Sequence, residues 1–215
     1  MNSLKKQFIE FTLNHEILRF GTFTLNSGRQ SPYFFNTGLC NNGKLLSLLA
    51  KFYCNTIIEK AIKYDFIFGP AYKGITLASS ISHTLYFEKS ISKPFCHNRK
   101  EAKTHGESGI FVGYQPKGAA IIVDDVISSG KSISESINLL KTNNAKPTSV
   151  LVAFDRMEVG RDKRASIELS EDYDVSVYSI ITLEDIVSHI KSDASLTKYI
   201  SKPPDPYDNV SPSKI

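Results

Sequence analysis

The sequence predicts an α/β fold in which short buried strands alternate with helices. Residues 65–85 and 119–140 carry this prediction, because each segment has an apolar run, a loop and then apolar residues at helical spacing. Apolar runs of this kind are typical of parallel strands that helices cover on both faces. At 215 residues the chain is long enough for one such domain, and its composition does not indicate a second. We therefore predict a single domain over residues 1–215.

The charge balance is mildly basic, with 26 Lys and Arg residues against 22 Asp and Glu residues and a formal net charge of +4. These charges are spread along the chain, so charge alone does not indicate a nucleic-acid partner, whereas small anionic substrates are compatible with it. No apolar run approaches the ~20 residues of a membrane span, and the N-terminal residues lack a signal-peptide core. We expect a soluble protein with neither a nucleic-acid nor a membrane partner.

The three cysteines are Cys40, Cys54 and Cys96, which are widely spaced and form no C-x-x-C motif. Their odd number and their spacing favour reduced thiols over a disulfide framework. We therefore predict a cytoplasmic protein in which the cysteines pack in the interior.

At the N-terminus, apolar residues at helical spacing predict a helix over residues 3–20 that ends at Gly21. Two β-type runs around an Asn-Ser-Gly-Arg turn then predict a hairpin over residues 22–35. Phe34 and Phe35 are adjacent, so their rings would point to opposite faces of a strand. One ring is then available to a flat ligand, although packing in the core is the simpler interpretation.

The next two segments combine packing with a candidate anion site. Residues 42–59 are predicted to form an amphipathic helix capped by Asn41 or Asn42. Residues 65–85 predict a strand, a loop and a helix, and Lys73 lies in the loop beside the helix N-terminus. A lysine there suits an anion, although a solvated lysine is the ordinary alternative.

Residues 99–109 form a long polar connector between strand-like segments at 94–98 and 110–114. Such a composition, with two glycines, is typical of a mobile loop that closes over an anion. An exposed hairpin loop with ordinary surface charge is the alternative. The cationic candidates are Arg99, Lys100, Lys103 and His105.

The central motif is AAIIVDDVISSGKS at residues 119–132. Asp124 and Asp125 follow an apolar strand, at the edge where open α/β sheets bind ligands. The loop after them leads into a helix, with Ser132 and Glu135 at capping-box spacing, and such a loop suits a phosphate. Because carboxylates accept hydrogen bonds from vicinal hydroxyls, the whole motif suits ribose 5-phosphate. A buried strand that ends in two solvated acids is the simpler alternative.

A second interpretation of this motif is a P-loop, since Gly130-Lys131-Ser132 imitates its end. That motif requires a glycine where this chain has Asp125, and a carboxylate there would repel phosphates. The P-loop is therefore excluded.

Residues 150–154 predict a third buried strand, which ends on Asp155 and Arg156. Arg156 is therefore expected at the same sheet edge as the acid pair. A guanidinium there binds a planar carboxylate bidentately or pairs with a neighbouring acid, and both remain open.

The remaining C-terminal residues are predicted to be structural. The cations at 161, 163 and 164 are interpreted as solvated, in a polar loop. A strand over 175–181 precedes a helix that Thr182 and Asp185 begin as a capping box. The proline-containing tail, at about 192–215, is predicted to be poorly ordered.

The central motif resembles the signature of phosphoribosyltransferases that use phosphoribosyl pyrophosphate (PRPP). Over about residues 6–190 the chain is similar to bacterial-type orotate phosphoribosyltransferases. The similar stretches are QFIEF, FTLNSGRQSPYFFN, FGPAYKGI, NRKEAKTHGESG, VDDVISSGKS, the DR pair at 155–156, and SIITLEDI. The resemblance implies a central parallel five-stranded sheet flanked by helices, with a small hood formed by about residues 1–40 and part of the C-terminal region.

The resemblance also implies an activity. Members of this family are glycosyltransferases that move a pentosyl group from PRPP to orotate, giving orotidine 5′-phosphate and pyrophosphate in pyrimidine (UMP) synthesis. It implies Mg²⁺ carried by PRPP, with no metal ligands on the protein, and a homodimer in which a mobile loop reaches the partner's active site. A transferase for another base and a non-catalytic PRPP-sensing regulator are the alternatives.

By resemblance, the candidate residues divide into three parts of one site. Asp124 and Asp125 bind the ribose hydroxyls, and the 5′-phosphate is held by Val126, Ile127, Ser128, Ser129, Gly130, Lys131 and Ser132. The pyrophosphate is surrounded by Tyr72, Lys73, Arg99, Lys100, Lys103 and His105. The orotate is contacted by Phe34, Phe35, Ser128 and Arg156. Lys103 is expected to be the main catalytic residue, together with the two aspartates.

Three positions depart from the family pattern. Asn26 stands where a lysine usually reaches toward the pyrophosphate and the base. Ser128 replaces a common threonine, and Lys131 stands where small hydroxyl residues are usual. Lys131 either strengthens phosphate binding or faces solvent.

Overall fold

A computed structural model describes residues 3–24, 28, 30–103 and 109–192, apart from the side chains at 102 and 103. The helices described are α1 (Ser3–Asn14), α2 (Gly43–Glu59), α3 (Lys73–Lys89), α4 (Lys131–Thr142), α5 (Ala165–Tyr173) and α6 (Leu183–Ser192). The strands described are β1 (Leu18–Thr24), β2 (Gln30–Phe35), β3 (Phe66–Gly69), β4 (Phe95–Lys103), β5 (Gly109–Gly113), β6 (Gly118–Ile127), β7 (Ala145–Asp155) and β8 (Ser176–Thr182). Asn26, His105 and the tail from residue 193 lie outside the described residues, and so does the side chain of Lys103.

The main sheet has the strand order β5-β4-β3-β6-β7-β8, and β1 pairs with β2 in a separate hairpin. Strands β4, β3, β6, β7 and β8 are mutually parallel, which confirms the predicted parallel sheet. The sheet also has a sixth, antiparallel strand, because β5 returns alongside β4 as a hairpin. A strand that returns directly through a hairpin must pair antiparallel, whereas parallel pairing requires a crossover.

The core lies on both faces of the sheet, as the apolar run in β6 predicts. Ile121 and Val123 belong to the cluster on one face, together with residues of α1, α2 and α3. Ala120 and Ile122 belong to the cluster on the other face, with residues of α4 and α5. Because alternate side chains of a strand point to opposite faces, this strand must be apolar at every position until its polar end.

The predicted helix over residues 3–20 is wrong beyond α1. The backbone turns at Glu16, which has a φ of 56°, and Leu18 then pairs with Phe35 in the hairpin. The apolar residues that follow Glu16 satisfy a strand as well as a helix, and pairing with β2 supplies their backbone hydrogen bonds. The predicted hairpin is present, although its strands are longer than expected, Leu18–Thr24 and Gln30–Phe35.

The helix caps give a mixed outcome. Asn42 caps α2, since its side chain accepts a 3.0 Å hydrogen bond from the Leu45 N–H. Thr182 and Asp185 form the predicted reciprocal capping box before α6, at 2.9 and 3.2 Å. The Ser132 capping box is wrong, because α4 already begins at Lys131 after Gly130, which has a φ of 78°.

The polar segment after β7 contains a helix that the sequence reasoning missed. The helix α5 is short, and its inward residues are Ala165 and Leu169. The loop before it closes on Glu168, whose carboxylate accepts hydrogen bonds of 2.7–2.9 Å from three consecutive backbone N–H groups. The cations predicted to be solvated do lie on the surface, where they form ion pairs: Arg161 with Asp172, Lys163 with Glu171 and Arg164 with Glu184.

Replacing Glu168 with glutamine is expected to lower the free energy of unfolding at pH 7. The three backbone donors lower the pKa of Glu168 to about 2, below the ~4.3 of an unfolded glutamate. The stabilisation is therefore present above pH ~4.3 and is lost as the pH falls through the folded-state pKa. Urea unfolding should show a difference from wild type that shrinks between pH 7 and pH 3.

The matched control is Glu171→Gln, which removes a surface carboxylate that pairs with Lys163. Surface pairs of this kind contribute little, so this variant should unfold like wild type. A Glu168→Gln difference that is the same at pH 7 and pH 3 would contradict the role of the charge.

The cysteines Cys40, Cys54 and Cys96 are free and buried, as predicted. Burial raises the pKa of the Cys54 thiol to about 12, so this group is an uncharged packing residue. Within residues 3–192, as far as the structure describes them, no helix is both long and apolar enough to cross a membrane.

Candidate active site

The acid pair lies among the last four residues of β6, since the strand continues to Ile127 instead of ending before Asp124. Both aspartates are buried, with 9% of Asp124 and 8% of Asp125 exposed. The backbone N–H of Asp125 donates a 2.9 Å hydrogen bond to Asp124 Oδ1. Both acids therefore lie near the carboxyl edge of the sheet, as predicted.

The two carboxylates have different electrostatic surroundings. Burial, followed by the negative charge of Asp125, raises the pKa of Asp124 to about 7. Asp125 instead faces a cation, because Lys73 Nζ lies 2.6 Å from its Oδ2. The Thr37 hydroxyl donates a 3.2 Å hydrogen bond to the same oxygen. The pair thus offers one carboxylate that faces a cation and one carboxyl group whose pKa is raised toward neutral pH.

The segment after the acids forms an open cleft of about 310 Å³ at the N-terminus of α4. Ser128, Ser129 and Ser132 are exposed there, and Gly130 packs against α5. A Cβ added at Gly130 would lie 3.2 Å from Leu169 Cδ1, and the φ of 78° also favours glycine. The loop is thereby held beside the cleft that its three serines line, where the helix N-terminus favours an anion. The Lys131 side chain is 82% exposed and lies 4.0 Å from Glu135, so it faces solvent.

The loop before α3 carries Tyr72 and Lys73 to the same edge of the sheet. Asn98 Oδ1 on β4 accepts a 2.9 Å hydrogen bond from the Ala71 N–H, which ties this loop to the neighbouring strand. The Ala71–Tyr72 peptide bond is cis. Lys73 lines a larger cleft of about 530 Å³ between the N-termini of α2 and α3.

The cations of β4 have diverse surroundings. Arg99 donates to the carbonyl oxygens of Gly109 and Phe111, at 3.3 and 3.0 Å, and so braces the β4–β5 hairpin. Lys100 Nζ lies 4.9 Å from the centre of the exposed Tyr72 ring, close enough for a cation–π contact. Lys103 closes the hairpin opposite Gly109 through its backbone.

The predicted orotate residues lie at the end of β7 and on the hairpin. Phe35 is buried and its ring centroid lies 5.0 Å from that of Phe154, whereas Phe34 is partly exposed. The two rings therefore point to opposite faces, as predicted. Arg156 is 8% exposed and donates a 2.6 Å hydrogen bond from Nε to Glu158 Oε1. The sequence left two roles open for the Arg156 guanidinium, and the structure shows it paired with a neighbouring acid.

Comparison with known proteins places this geometry in a family. Residues 41–194 match the family model described as a phosphoribosyl transferase domain. A curated orotate phosphoribosyltransferase of Hahella chejuensis is 47% identical over 194 residues, which are 90% of each chain. One of Shigella flexneri is 44% identical over 202 residues, 94% of this chain and 95% of the relative. The chain belongs to the orotate phosphoribosyltransferase family.

A solved structure supports the same assignment. The crystal structure of orotate phosphoribosyltransferase from Francisella tularensis superposes with a TM-score of 0.78 at 39% identity, and the match covers 91% of this chain and 96% of that one. The parallel sheet flanked by helices that the family resemblance implies is therefore confirmed, with β5 as an addition to the five parallel strands.

For a phosphoribosyltransferase, the structure adds residues that the sequence reasoning missed. Thr37 contacts Asp125 from a position 88 residues earlier in the chain, and no local pattern marks it. The buried Tyr53 hydroxyl donates a 2.7 Å hydrogen bond to the Asp124 carbonyl oxygen. A phenol on the apolar face of α2 was the available signal for Tyr53. Glu158, two residues after Arg156, was also overlooked.

Proposed function

We propose that this chain transfers the 5-phosphoribosyl group from PRPP to orotate, forming orotidine 5′-phosphate and pyrophosphate in pyrimidine biosynthesis. The observation that carries the proposal is the meeting of four groups at one sheet edge, in a chain 47% identical to a curated orotate phosphoribosyltransferase. These groups are the acid pair, the cleft at α4, Lys73 and Arg156. The assignment of individual roles to these residues is part of the proposal.

The reaction explains why acids and cations share this edge. Breaking the anomeric C–O bond builds positive charge on the ribose and negative charge on the departing pyrophosphate. Asp125 is suited to accept hydrogen bonds from the ribose hydroxyls, and Lys73 stands beside it to meet the pyrophosphate. Each charge-assisted hydrogen bond contributes about 1.5–3 kcal/mol, so several that form mainly in the transition state lower the barrier substantially.

Mg²⁺ belongs to the proposal as an ion that PRPP brings to the site. Among the described residues, no three His, Cys, Asp or Glu side chains are grouped as metal ligands. An ion that takes its ligands from the pyrophosphate and water requires no such group on the protein. Such an ion would neutralise charge on the leaving pyrophosphate.

The proposal is tested by following orotate absorbance with PRPP and Mg²⁺, and by offering uracil and hypoxanthine in its place. We expect orotate to be consumed with release of one pyrophosphate each, and the other two bases to remain unchanged. Turnover of another base but not orotate would identify a different transferase. Binding of PRPP without turnover of any base would identify a regulator, and either outcome overturns the proposal.

We further propose a cytoplasmic homodimer in which Lys103 of one subunit serves the site built on Asp125 of the other. The predicted connector over residues 99–109 is too long, because β4 continues through residues 99–103 and ends at Lys103. Strand β5 beyond it is the edge strand of the sheet. Four cationic residues, Arg99, Lys100, Lys103 and His105, fall within seven positions near a sheet edge. This concentration of charge is explained if the end of β4 and the loop after it reach the anion bound by a second copy. Closure of such a loop also excludes water from the reacting centre.

Mixing two inactive variants, Lys103→Ala and Asp125→Asn, is expected to restore about a quarter of wild-type activity. With random exchange, half of the dimers are mixed, and each has one site with an intact aspartate and an intact partner loop. Native mass spectrometry confirms exchange, and the unmixed variants are the controls. Activity that stays at the level of the separate variants after proven exchange would mean that the loop serves its own chain.

A further inference from the structure

The buried guanidinium of Arg156 is held by neighbours on three sides. Its Nε donates a 2.6 Å hydrogen bond to Glu158 Oε1, and its Nη2 lies 3.5 Å from Ser31 Oγ. Its Cζ lies 4.8 Å from the centre of the Tyr33 ring. Arg156 and Glu158 are 8% and 6% exposed, so this pair is shielded from water. The orientation of the guanidinium is therefore set by the protein before a ligand arrives.

The backbone after β7 is shaped to bring Glu158 back to Arg156. Met157, between the two, is buried and has a φ of 55°, in the left-handed region that a non-glycine residue rarely adopts. The Met157 N–H donates a 2.8 Å hydrogen bond to Asp155 Oδ1, and the Arg156 N–H bonds to the Ile127 carbonyl oxygen at the end of β6. The turn is thus fixed by hydrogen bonds at both of its residues.

The geometry around Nε determines how Arg156 can meet a carboxylate. A guanidinium has five N–H donors in one plane, and a carboxylate takes two of them along one edge. Because Glu158 occupies the Nε hydrogen, an edge that includes Nε is blocked. Bidentate binding of a ligand then requires the edge formed by Nη1 and Nη2, where Nη2 carries a second hydrogen besides the one that it donates to Ser31 Oγ.

We propose that Glu158 is a positioning residue that turns the Nη1–Nη2 edge of Arg156 toward the base site, and so supports selection of a base that carries a carboxylate. This inference rests on the proposed function. Glu158 has an opposing effect, because its negative charge also weakens the attraction of Arg156 for an anionic base. The positioning role and the charge role therefore predict opposite results when reach and charge are changed separately.

Two conservative variants separate reach from charge. Glu158→Asp keeps the charge and shortens the side chain, and Glu158→Gln removes the charge and keeps an acceptor at the same distance. We expect Glu158→Asp to raise the orotate KM about 10-fold and Glu158→Gln to stay within about 3-fold, as for the loss or retention of one hydrogen bond. The PRPP KM should stay within about 2-fold in both variants. Arg156→Ala shows the effect of losing the guanidinium entirely. This variant should raise the orotate KM more than the PRPP KM.

An orotate KM in Glu158→Asp that equals the wild-type value, or one in Glu158→Gln that is lowered more than about 3-fold, would overturn the positioning role and indicate a charge role. Parallel increases in the KM values for orotate and PRPP in Glu158→Asp would indicate a general structural role and overturn it equally. Thermal melts show whether each variant is folded. If one variant is not folded, the orotate KM of the other still distinguishes the positioning role of Glu158 from its charge role. Failure of the wild type to use orotate would instead overturn the proposed function, so the two failures are distinguishable.

Discussion

Replacing Asp125 with asparagine is expected to lower kcat/KM by at least about 100-fold while the fold is retained. The change conserves side-chain volume but removes the charge that faces Lys73 Nζ at 2.6 Å and would accept hydrogen bonds from the ribose. Steady-state rates with PRPP and orotate give the loss, and circular dichroism with a thermal melt checks the fold.

Asp172→Asn is the matched control for this variant. Asp172 lies on α5 and pairs with Arg161 at the surface, so its loss should leave the rates unchanged. Near-normal turnover in purified Asp125→Asn would contradict the role proposed for Asp125.

Replacing Asp124 with asparagine is expected to stabilise the ligand-free protein at pH 8 while lowering activity. Burial and the neighbouring Asp125 raise the pKa of Asp124 to about 7, above the ~3.9 of an unfolded aspartate. The unfolded chain therefore releases this proton more readily, and stability is lost as the pH rises from ~4 through 7. Asparagine removes this cost, which amounts to about 1–4 kcal/mol at pH 8.

Urea unfolding of wild type and Asp124→Asn at pH 8 and pH 5 measures this effect. The increase in the free energy of unfolding of Asp124→Asn over wild type should be largest at pH 8. It should shrink toward pH 5, where wild-type Asp124 is protonated in the folded state. A gain of equal size at both pH values, or a loss at pH 8, would show that Asp124 carries no unfavourable charge. The opposite effects on stability and activity are typical of a site whose charge is kept for function.

Much of the site could be predicted because its parts are local in sequence. The apolar residues of β6, the adjacent aspartates and the loop into α4 follow one another, and parallel strands bring their carboxyl ends to one edge. The same reasoning placed Lys73 and Arg156 at that edge, and the structure confirms the placement through the pairing of β3, β6 and β7.

The errors have a different physical origin. The residues after Glu16 suit both a helix and a strand, and the pairing with β2 that decides between them is not encoded locally. The contact of Thr37 with Asp125 joins residues 88 positions apart, so it required the fold. The orientation of Arg156 depends on a left-handed Met157, which a sequence pattern does not reveal. Local periodicity thus predicted the scaffold, and tertiary contacts determined how the charged groups are paired.

The most direct test of the central claim, that one sheet edge holds the phosphate, the ribose and the base, is a crystal structure with orotidine 5′-phosphate bound. We predict the 5′-phosphate at the loop of residues 128–132, the ribose hydroxyls at Asp124 and Asp125, and the orotate carboxylate on Arg156. A 5′-phosphate bound in the cleft between α2 and α3, or a carboxylate with no contact to Arg156, would contradict this account.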